Sequence, residues 1–214
     1  KNPQHTPTLK GETHELPLGR GAKTSKFLPH FVAMGIFLVI MLGYFSPVIL
    51  GDKQIFQEDI MRAQGTSKEL ADFRAKFHEE PYWTNSVFCG MPAYQISTYY
   101  FAHKLEYAQK LFSVFIPHPV RYIFLCLIGF YFLLQVLRVD PWLSIAGALA
   151  FGLGSYFFIC VDTGHNSKMS AIAYMAPVLA GMILTYRGKL LAGGAITAFF
   201  LTMEIFSNHP QIMY

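Results

Sequence analysis

The sequence has little charge for its length. Only 14% of its 214 residues are charged, whereas 53% are hydrophobic and 16% are aromatic. Average soluble domains carry about 25% charged residues, so this composition excludes an ordinary soluble domain. It predicts an all-α protein, a polytopic transmembrane helix bundle with about five spans in this stretch of chain.

Cysteine is also scarce. Cys89, Cys126 and Cys160 form no C-x-x-C motif, and two of them lie in apolar runs, where a free thiol packs as a small hydrophobic group. A disulfide framework is therefore not expected. The basic residues outnumber the acidic ones, 17 to 13, but they are scattered or flank apolar segments. Because they form no basic stripe, we expect membrane lipid around the chain and no nucleic-acid partner.

The first fifty residues divide into two parts. Residues 1–26 combine basic residues with Pro, Gly and Thr and little apolar surface, which predicts a flexible cytoplasmic tail. Residues 27–50 are long enough to cross a hydrocarbon core of about 30 Å. The apolar part of a signal peptide is shorter and ends in small residues, so we assign 27–50 as the first transmembrane helix.

A long polar excursion, residues 51–118, follows and is predicted to be a first extracytoplasmic loop with juxtamembrane helices. Gly65 is predicted to end a first short helix. Thr66 and Glu69 have the spacing of a capping box for a second helix that ends near Phe77. Residues 119–214 then contain four further apolar segments with short connections, which predict antiparallel spans. These segments are residues 122–137, 142–161, 169–186 and 190–206.

The distribution of basic residues predicts the orientation of the spans. With the tail inside, the connections that contain Arg138 and Lys189 also lie inside. The first loop and residues 162–168 and 207–214 then lie outside. This arrangement gathers ionisable and polar groups from separate segments on the extracytoplasmic side, as a functional site requires. These groups are Glu58, Asp59, Asp162, His165, Asn166, Lys168, Glu204 and His209.

Each of these groups also has an ordinary structural explanation. Glu58 and Asp59 could be solvated acids of a polar loop. Asp162 and His165 could merely belong to the cap of the helix that begins near Lys168, for which Asn166 and Ser167 are good N-cap residues. Glu204 differs from the others because it lies within an apolar run, where an ionisable side chain is costly and for that reason often functional.

Three runs resemble the N-terminal part of the YfhO-like bacterial membrane proteins, which belong to the GT-C class of glycosyltransferases. They are YFSPVILGDKQIFQEDI at 44–60, PYWTNSVFCGMPAYQIS at 81–97 and GHNSKMSAIAYMAPVLAGMILTYRGK at 164–189. The resemblance implies a protein of the bacterial inner membrane. It implies transfer of a sugar from a polyprenyl-phosphate carrier to an extracytoplasmic acceptor in the cell envelope.

The resemblance also implies a role for Asp59, which matches the catalytic acid of the first loop. Glu58 and Glu204 are then candidates for supporting acids. A polyprenyl phosphate as leaving group needs cations, so Arg121 and His118 are predicted to bind the donor phosphate, although Arg121 could equally extend to lipid headgroups. Some members of the class use a divalent metal, but no metal-ligand spacing stands out here. The family core has more spans than this sequence, so we expect the chain to be part of a longer protein.

Two other classes of function stay open. A non-catalytic scaffold or partner subunit of a larger membrane complex would use the tail and the aromatic loop as contact surfaces. An ion-coupled transporter would place acids such as Glu204 along a path, but it would also require matched repeats with broken helices, which the sequence lacks.

Overall fold

The structure is a computed structural model that describes residues 27–51, 53–97 and 116–213. The predicted tail 1–26 and part of the predicted first loop, 98–115, lie outside the described residues. The described chain is helical, which confirms the all-α prediction. Its helices are α1 (Leu28–Tyr44), α2 (Ser46–Ile49), α3 (Glu58–Thr66), α4 (Lys68–Phe77), α5 (Arg121–Val136), α6 (Pro141–Gly152), α7 (Ser155–Thr163), α8 (Asn166–Tyr186), α9 (Leu190–Phe206) and α10 (Pro210–Met213).

Helix α8 is the centre of the packing, with α5 on one side and α9 on the other. Helix α6 packs on α5, and α1 contacts both α5 and α6. Small residues allow these close approaches. A Cβ atom added to Gly129 of α5 would lie 3.0 Å from the Ala173 carbonyl oxygen of α8, and one added to Gly181 of α8 would lie 2.7 Å from the Thr197 nitrogen of α9.

Two predicted spans are broken. The segment 27–50 forms α1 and α2, which meet at Phe45, because Pro47 has no N–H to donate to the Gly43 carbonyl. The Ser46 hydroxyl donates to that carbonyl instead, at 3.2 Å. The segment 142–161 forms α6 and α7, which are bent by 44° at Gly152–Gly154.

Helix lengths bear on the predicted number of spans. Within the described ranges, α8 is the one unbroken helix whose length and apolar composition suffice to cross a membrane, and the bent pair α6–α7 would add a second span if it is counted as one. Helices α1, α5 and α9 are apolar but have only 16 or 17 residues. A buried helix of a soluble protein would pass the same test, so a bundle of five spans stays a prediction.

The described part of the first loop has its own small framework. Strands β1 (Trp83–Thr84) and β2 (Met91–Pro92) pair antiparallel and are followed by a 3-10 turn, Ala93–Gln95. The Arg74 guanidinium on α4 donates to both carboxylate oxygens of Glu80, at 2.9 and 3.1 Å from Nε. It also donates to Ser97, so one side chain fastens α4 to the end of this segment.

The capping-box prediction is wrong. Helix α3 continues through Gly65 to Thr66, and the N-cap residue of α4 is Ser67. The Thr66 hydroxyl donates to the Ala63 carbonyl, 3.0 Å away. The Glu69 carboxylate turns away from its own helix because the end of β1 and the two residues after it offer several donors. These are the Thr84 hydroxyl at 2.6 Å and the amides of Asn85 and Ser86 at 3.1 and 3.0 Å.

We expect this Glu69 contact to weaken in acid. The hydrogen bond from Thr84 is the largest effect on the pKa of Glu69 and lowers it, the two amides lower it further, and desolvation opposes them. A lowered folded pKa means that the stabilisation is complete above the unfolded value of about 4.3 and is lost as the pH falls through the folded value.

The amide chemical shifts of Asn85 and Ser86 in NMR spectra should therefore titrate below pH 4.3 in the native chain. In Glu69→Gln this titration should disappear, whereas Glu79→Gln, which changes an exposed neighbour, should leave it intact. A Glu69→Gln protein with an unchanged titration would contradict the assignment.

Adjacent glycines in α9 provide a matched test of the packing against α8. A Cβ atom at Gly193 would collide with the backbone nitrogen of Thr185, whereas one at Gly194 meets nothing within 4 Å. We expect Gly193→Ala to destabilise the protein by about 1–3 kcal/mol through overpacking. Gly194→Ala should stabilise it by up to about 1 kcal/mol, because alanine favours the helix.

Thermal unfolding of the two variants in the same detergent measures the difference. Equal midpoints would mean that α8 and α9 do not approach closely at Gly193.

Candidate functional site

Several of the predicted outer residues lie near one end of the helices. Residues 57–59 contact residues 165–166 there, and Ser207 forms a hydrogen bond with Ser170 of α8. At the other end, the Arg187 guanidinium donates to the Val136 carbonyl. The 21 residues of α8 place roughly 30 Å between these ends. The structure thus brings part of the group predicted from charge together, and the side of a membrane on which it lies stays a prediction.

Asp59 and His165 are the closest pair of ionisable candidates. Asp59 lies in the first turn of α3, and His165 immediately precedes α8. The Asp59 Oδ2 and His165 Nε2 atoms are 3.7 Å apart, and both side chains are about half exposed, 48% and 52%. A carboxylate beside an imidazole at an open surface can accept a proton from a bound hydroxyl, with the imidazole as its orienting neighbour.

Glu58 does not join this pair. It lies on another face of α3 and forms an exposed ion pair with Arg62, one turn further along. The chain therefore carries two adjacent acids in different surroundings, of which only Asp59 faces the α7–α8 connection.

Gln57 belongs to the site but was missed by the sequence reasoning. Its side-chain amide exchanges two hydrogen bonds with that of Asn166, Nε2 to Oδ1 at 3.1 Å and Nδ2 to Oε1 at 3.0 Å. Gln57 Nε2 also donates to the Val161 carbonyl, and the residue is buried. A glutamine in a polar loop has neither charge nor periodicity to indicate such a contact, so no sequence signal was available.

Gly164 lies at the point where Gln57 and α3 pack against the α7–α8 connection. Its φ of +99° ends α7 in the left-handed conformation, which glycine adopts without strain. A Cβ atom there would lie 2.9 Å from Ile60 Cγ1 and 3.2 Å from Gln57 Cβ. Only a residue without a side chain therefore lets α3 approach the α7–α8 connection this closely.

The helix-cap explanation for Asp162 and His165 holds only for the position of His165, and neither Asn166 nor Ser167 is the N-cap residue. Asp162 lies within the last turns of α7, where it is exposed and borders a groove together with Tyr44 and Pro47. Helix α8 already begins at Asn166, and its N-cap residue, His165, makes no side-chain cap. Asp162 therefore borders the site without a contact to Asp59 among the described residues.

Lys168 and His209 extend the site around the start of α8. The Lys168 ammonium lies 5.1 Å from the centre of the Tyr156 ring. The Ser207 hydroxyl donates to Ser170 at 2.8 Å, which holds the segment that contains His209 against α8. His209 Nε2 is shielded from solvent and has no hydrogen-bond partner within the described ranges. Burial first, and then the charges of Lys168 and His165, lower the pKa of His209.

The predicted phosphate ligands lie elsewhere. His118 borders a cavity of about 840 Å³ that is also lined by Lys53 and by one face of α3, including Gln57 and Met61. Asp59 does not line this cavity. Although His118 as a residue is exposed, its ring packs edge-on against Tyr122 at 5.5 Å, and burial, followed by the Arg121 charge, lowers the pKa of His118.

Arg121 packs over the same tyrosine, 5.1 Å from the ring centre. The structure thus keeps the two predicted phosphate ligands together but separates them from Asp59 by the width of α3. Lys53, which was not among the residues predicted from the sequence, is a further cation that lines the same cavity as His118.

Glu204 lies apart from both the Asp59–His165 pair and the cavity that His118 lines. It is only 5% exposed and borders a groove of about 590 Å³ between α5 and α9. All the other residues that line the groove are apolar, among them Phe130, Leu133 and Leu179. Within the described part of the chain, no hydrogen bond reaches the carboxylate and no other candidate site residue borders the groove.

A metal centre receives no support from the geometry. The described residues contain no group of three or more His, Cys, Asp or Glu side chains that could hold an ion. The pair Asp59 and His165 provides two donors at most, fewer than a protein-bound divalent ion normally takes.

Comparison of the chain with protein-family models, with curated proteins and with solved structures finds no match.

Replacing Glu204 should show how much its buried carboxylate lowers the free energy of unfolding. A buried carboxyl group without a hydrogen-bond partner destabilises the fold, so Glu204→Leu should raise the free energy of unfolding by about 1–3 kcal/mol. Thermal unfolding in detergent measures the change. Glu58→Leu, at the exposed surface, serves as the control and should change stability little. A lower midpoint for Glu204→Leu would show that the carboxylate has a stabilising partner.

Proposed function

We propose that this chain is part of a GT-C-like glycosyltransferase of the bacterial inner membrane. It would be a polytopic bundle with residues 51–118 on the extracytoplasmic side, where a sugar passes from a polyprenyl-phosphate carrier to an acceptor of the cell envelope. One observation carries the proposal. Asp59 and His165 come from two different runs of the family resemblance, about a hundred positions apart, and their side chains lie 3.7 Å from each other.

The reaction assigns a task to each group. The bond between sugar C1 and the carrier phosphate breaks, the phosphate leaves with the electron pair, and the acceptor oxygen bonds to C1. The Asp59 carboxylate accepts the proton of the acceptor hydroxyl, and His165 holds the carboxylate in place. Both side chains are half exposed, which leaves room for an acceptor.

The leaving phosphate needs cations near the membrane. Lys168 borders the start of α8, a helix end that favours anions. His118 and Lys53 border the large cavity on the other side of α3. We propose that the donor phosphate lies beside Lys168, on the Asp59 side of α3, with its polyprenyl chain in the surrounding lipid.

Asp59→Asn tests the proposal. Loss of a general base typically costs 10²- to 10⁴-fold in rate, so we expect sugar transfer from a polyprenyl-phosphate donor to fall at least about 100-fold in reconstituted full-length protein. Glu58→Gln changes the adjacent acid, which is paired with Arg62, and should leave transfer within about twofold of the native rate.

Normal transfer by a folded Asp59→Asn protein would remove Asp59 from the mechanism. If even the native full-length protein transfers no sugar, the proposal of an enzyme is replaced by that of a scaffold.

A further inference from the structure

We infer that Gln57 and Asn166 form a positioning pair, an amide latch, that sets the separation between Asp59 and His165. Its consequence for catalysis rests on the function proposed above, but its consequence for geometry does not. The latch comprises the two reciprocal hydrogen bonds between Gln57 and Asn166 and the bond from Gln57 to Val161.

The position of the latch in the sequence supports this role. Gln57 is the N-cap residue of α3 and lies two residues before Asp59. Asn166 directly follows His165 and is the first residue of α8. Each half of the latch is thus joined by at most two residues to one half of the Asp59–His165 pair. A change in the latch must move the acid relative to the imidazole.

The latch and the Asp59–His165 pair differ in their burial. Gln57 is 8% exposed, whereas the side chains of Asp59 and His165 are about half exposed. An exposed charge pair contributes little to its own geometry, because water and salt compete for both partners. A doubly hydrogen-bonded amide pair, one partner of which is buried, fixes both distance and orientation, since a buried amide without its partner is unfavourable.

A third contact fixes the direction of approach. Ile60 packs in the space that a side chain at position 164 would occupy. Gly164 directly precedes His165 in the chain. The hydrogen bonds pull α3 toward the α7–α8 connection, and this contact limits how far it can come. Together they leave Asp59 a defined position at the start of α3.

Cross-linking tests the latch without reference to activity. Cysteines replace Asp59 and His165 in a Cys89→Ser background, and a short bifunctional thiol reagent joins them in the full-length protein. We expect Gln57→Leu to slow this cross-link about tenfold or more. Gln95→Leu, which changes an exposed glutamine of the same loop, should leave the rate unchanged. An unchanged rate in folded Gln57→Leu protein would overturn the inference.

Kinetics test the consequence for transfer. A displacement of about 1 Å can cost roughly 100-fold in rate, so Gln57→Leu should lower kcat 10- to 100-fold and change KM little. The exchanged pair, Gln57→Asn with Asn166→Gln, keeps the summed length of the two side chains and should restore at least part of kcat. In an Asp59→Asn background, Gln57→Leu should have no further effect, because the latch acts through Asp59.

The outcomes are distinguishable. If Asp59→Asn transfers normally, the catalytic role of Asp59 fails while the cross-linking result still decides on the latch. If Asp59→Asn is inactive but Gln57→Leu keeps its native kcat, the latch fails alone. Should Gln57→Leu not fold, Asn166→Ala removes the same amide pair, keeps the bond from Gln57 to Val161, and is measured in the same way.

Discussion

The reciprocal amide contact between Gln57 and Asn166 is the interaction on which the arrangement of this chain's polar end depends. It joins a segment that follows α1 and α2 to the connection between α7 and α8, more than a hundred residues away. The two proposed reacting groups, Asp59 and His165, are half exposed and interact only weakly with each other. Their relative position is set by uncharged neighbouring residues, so stability and reactivity are divided between adjacent residues.

Much of the helical framework could be predicted from the sequence. Apolar composition and the short polar connections predicted a segment at 190–206, and α9 has the same bounds. The breaks at Phe45 and at Gly152–Gly154 were not predicted, because hydropathy does not register a missing N–H at Pro47 or a tight contact. A Cβ atom at Gly152 would lie 2.6 Å from Leu127, a fact of packing that only the folded chain contains.

The candidate site was predicted in part, for a similar reason. Charge patterns sort residues by the end of the bundle at which they lie, and Asp59, His165, Lys168 and His209 do lie together. Charge patterns carry no information on position across that end, so His118 was grouped with Asp59 although α3 separates them. Gln57 escaped notice because an uncharged amide becomes distinctive only through its partner.

The close contact at Gly164 has a consequence for how this surface tolerates change. An exposed acid such as Glu58 can be replaced by many residues without disturbing its neighbours. Gly164 has no such freedom, because Ile60 and Gln57 occupy the space of a side chain and the backbone is left-handed. The strictest requirement at this end of the molecule therefore falls on the residue with no functional group, and variation there would be limited by shape before chemistry was affected.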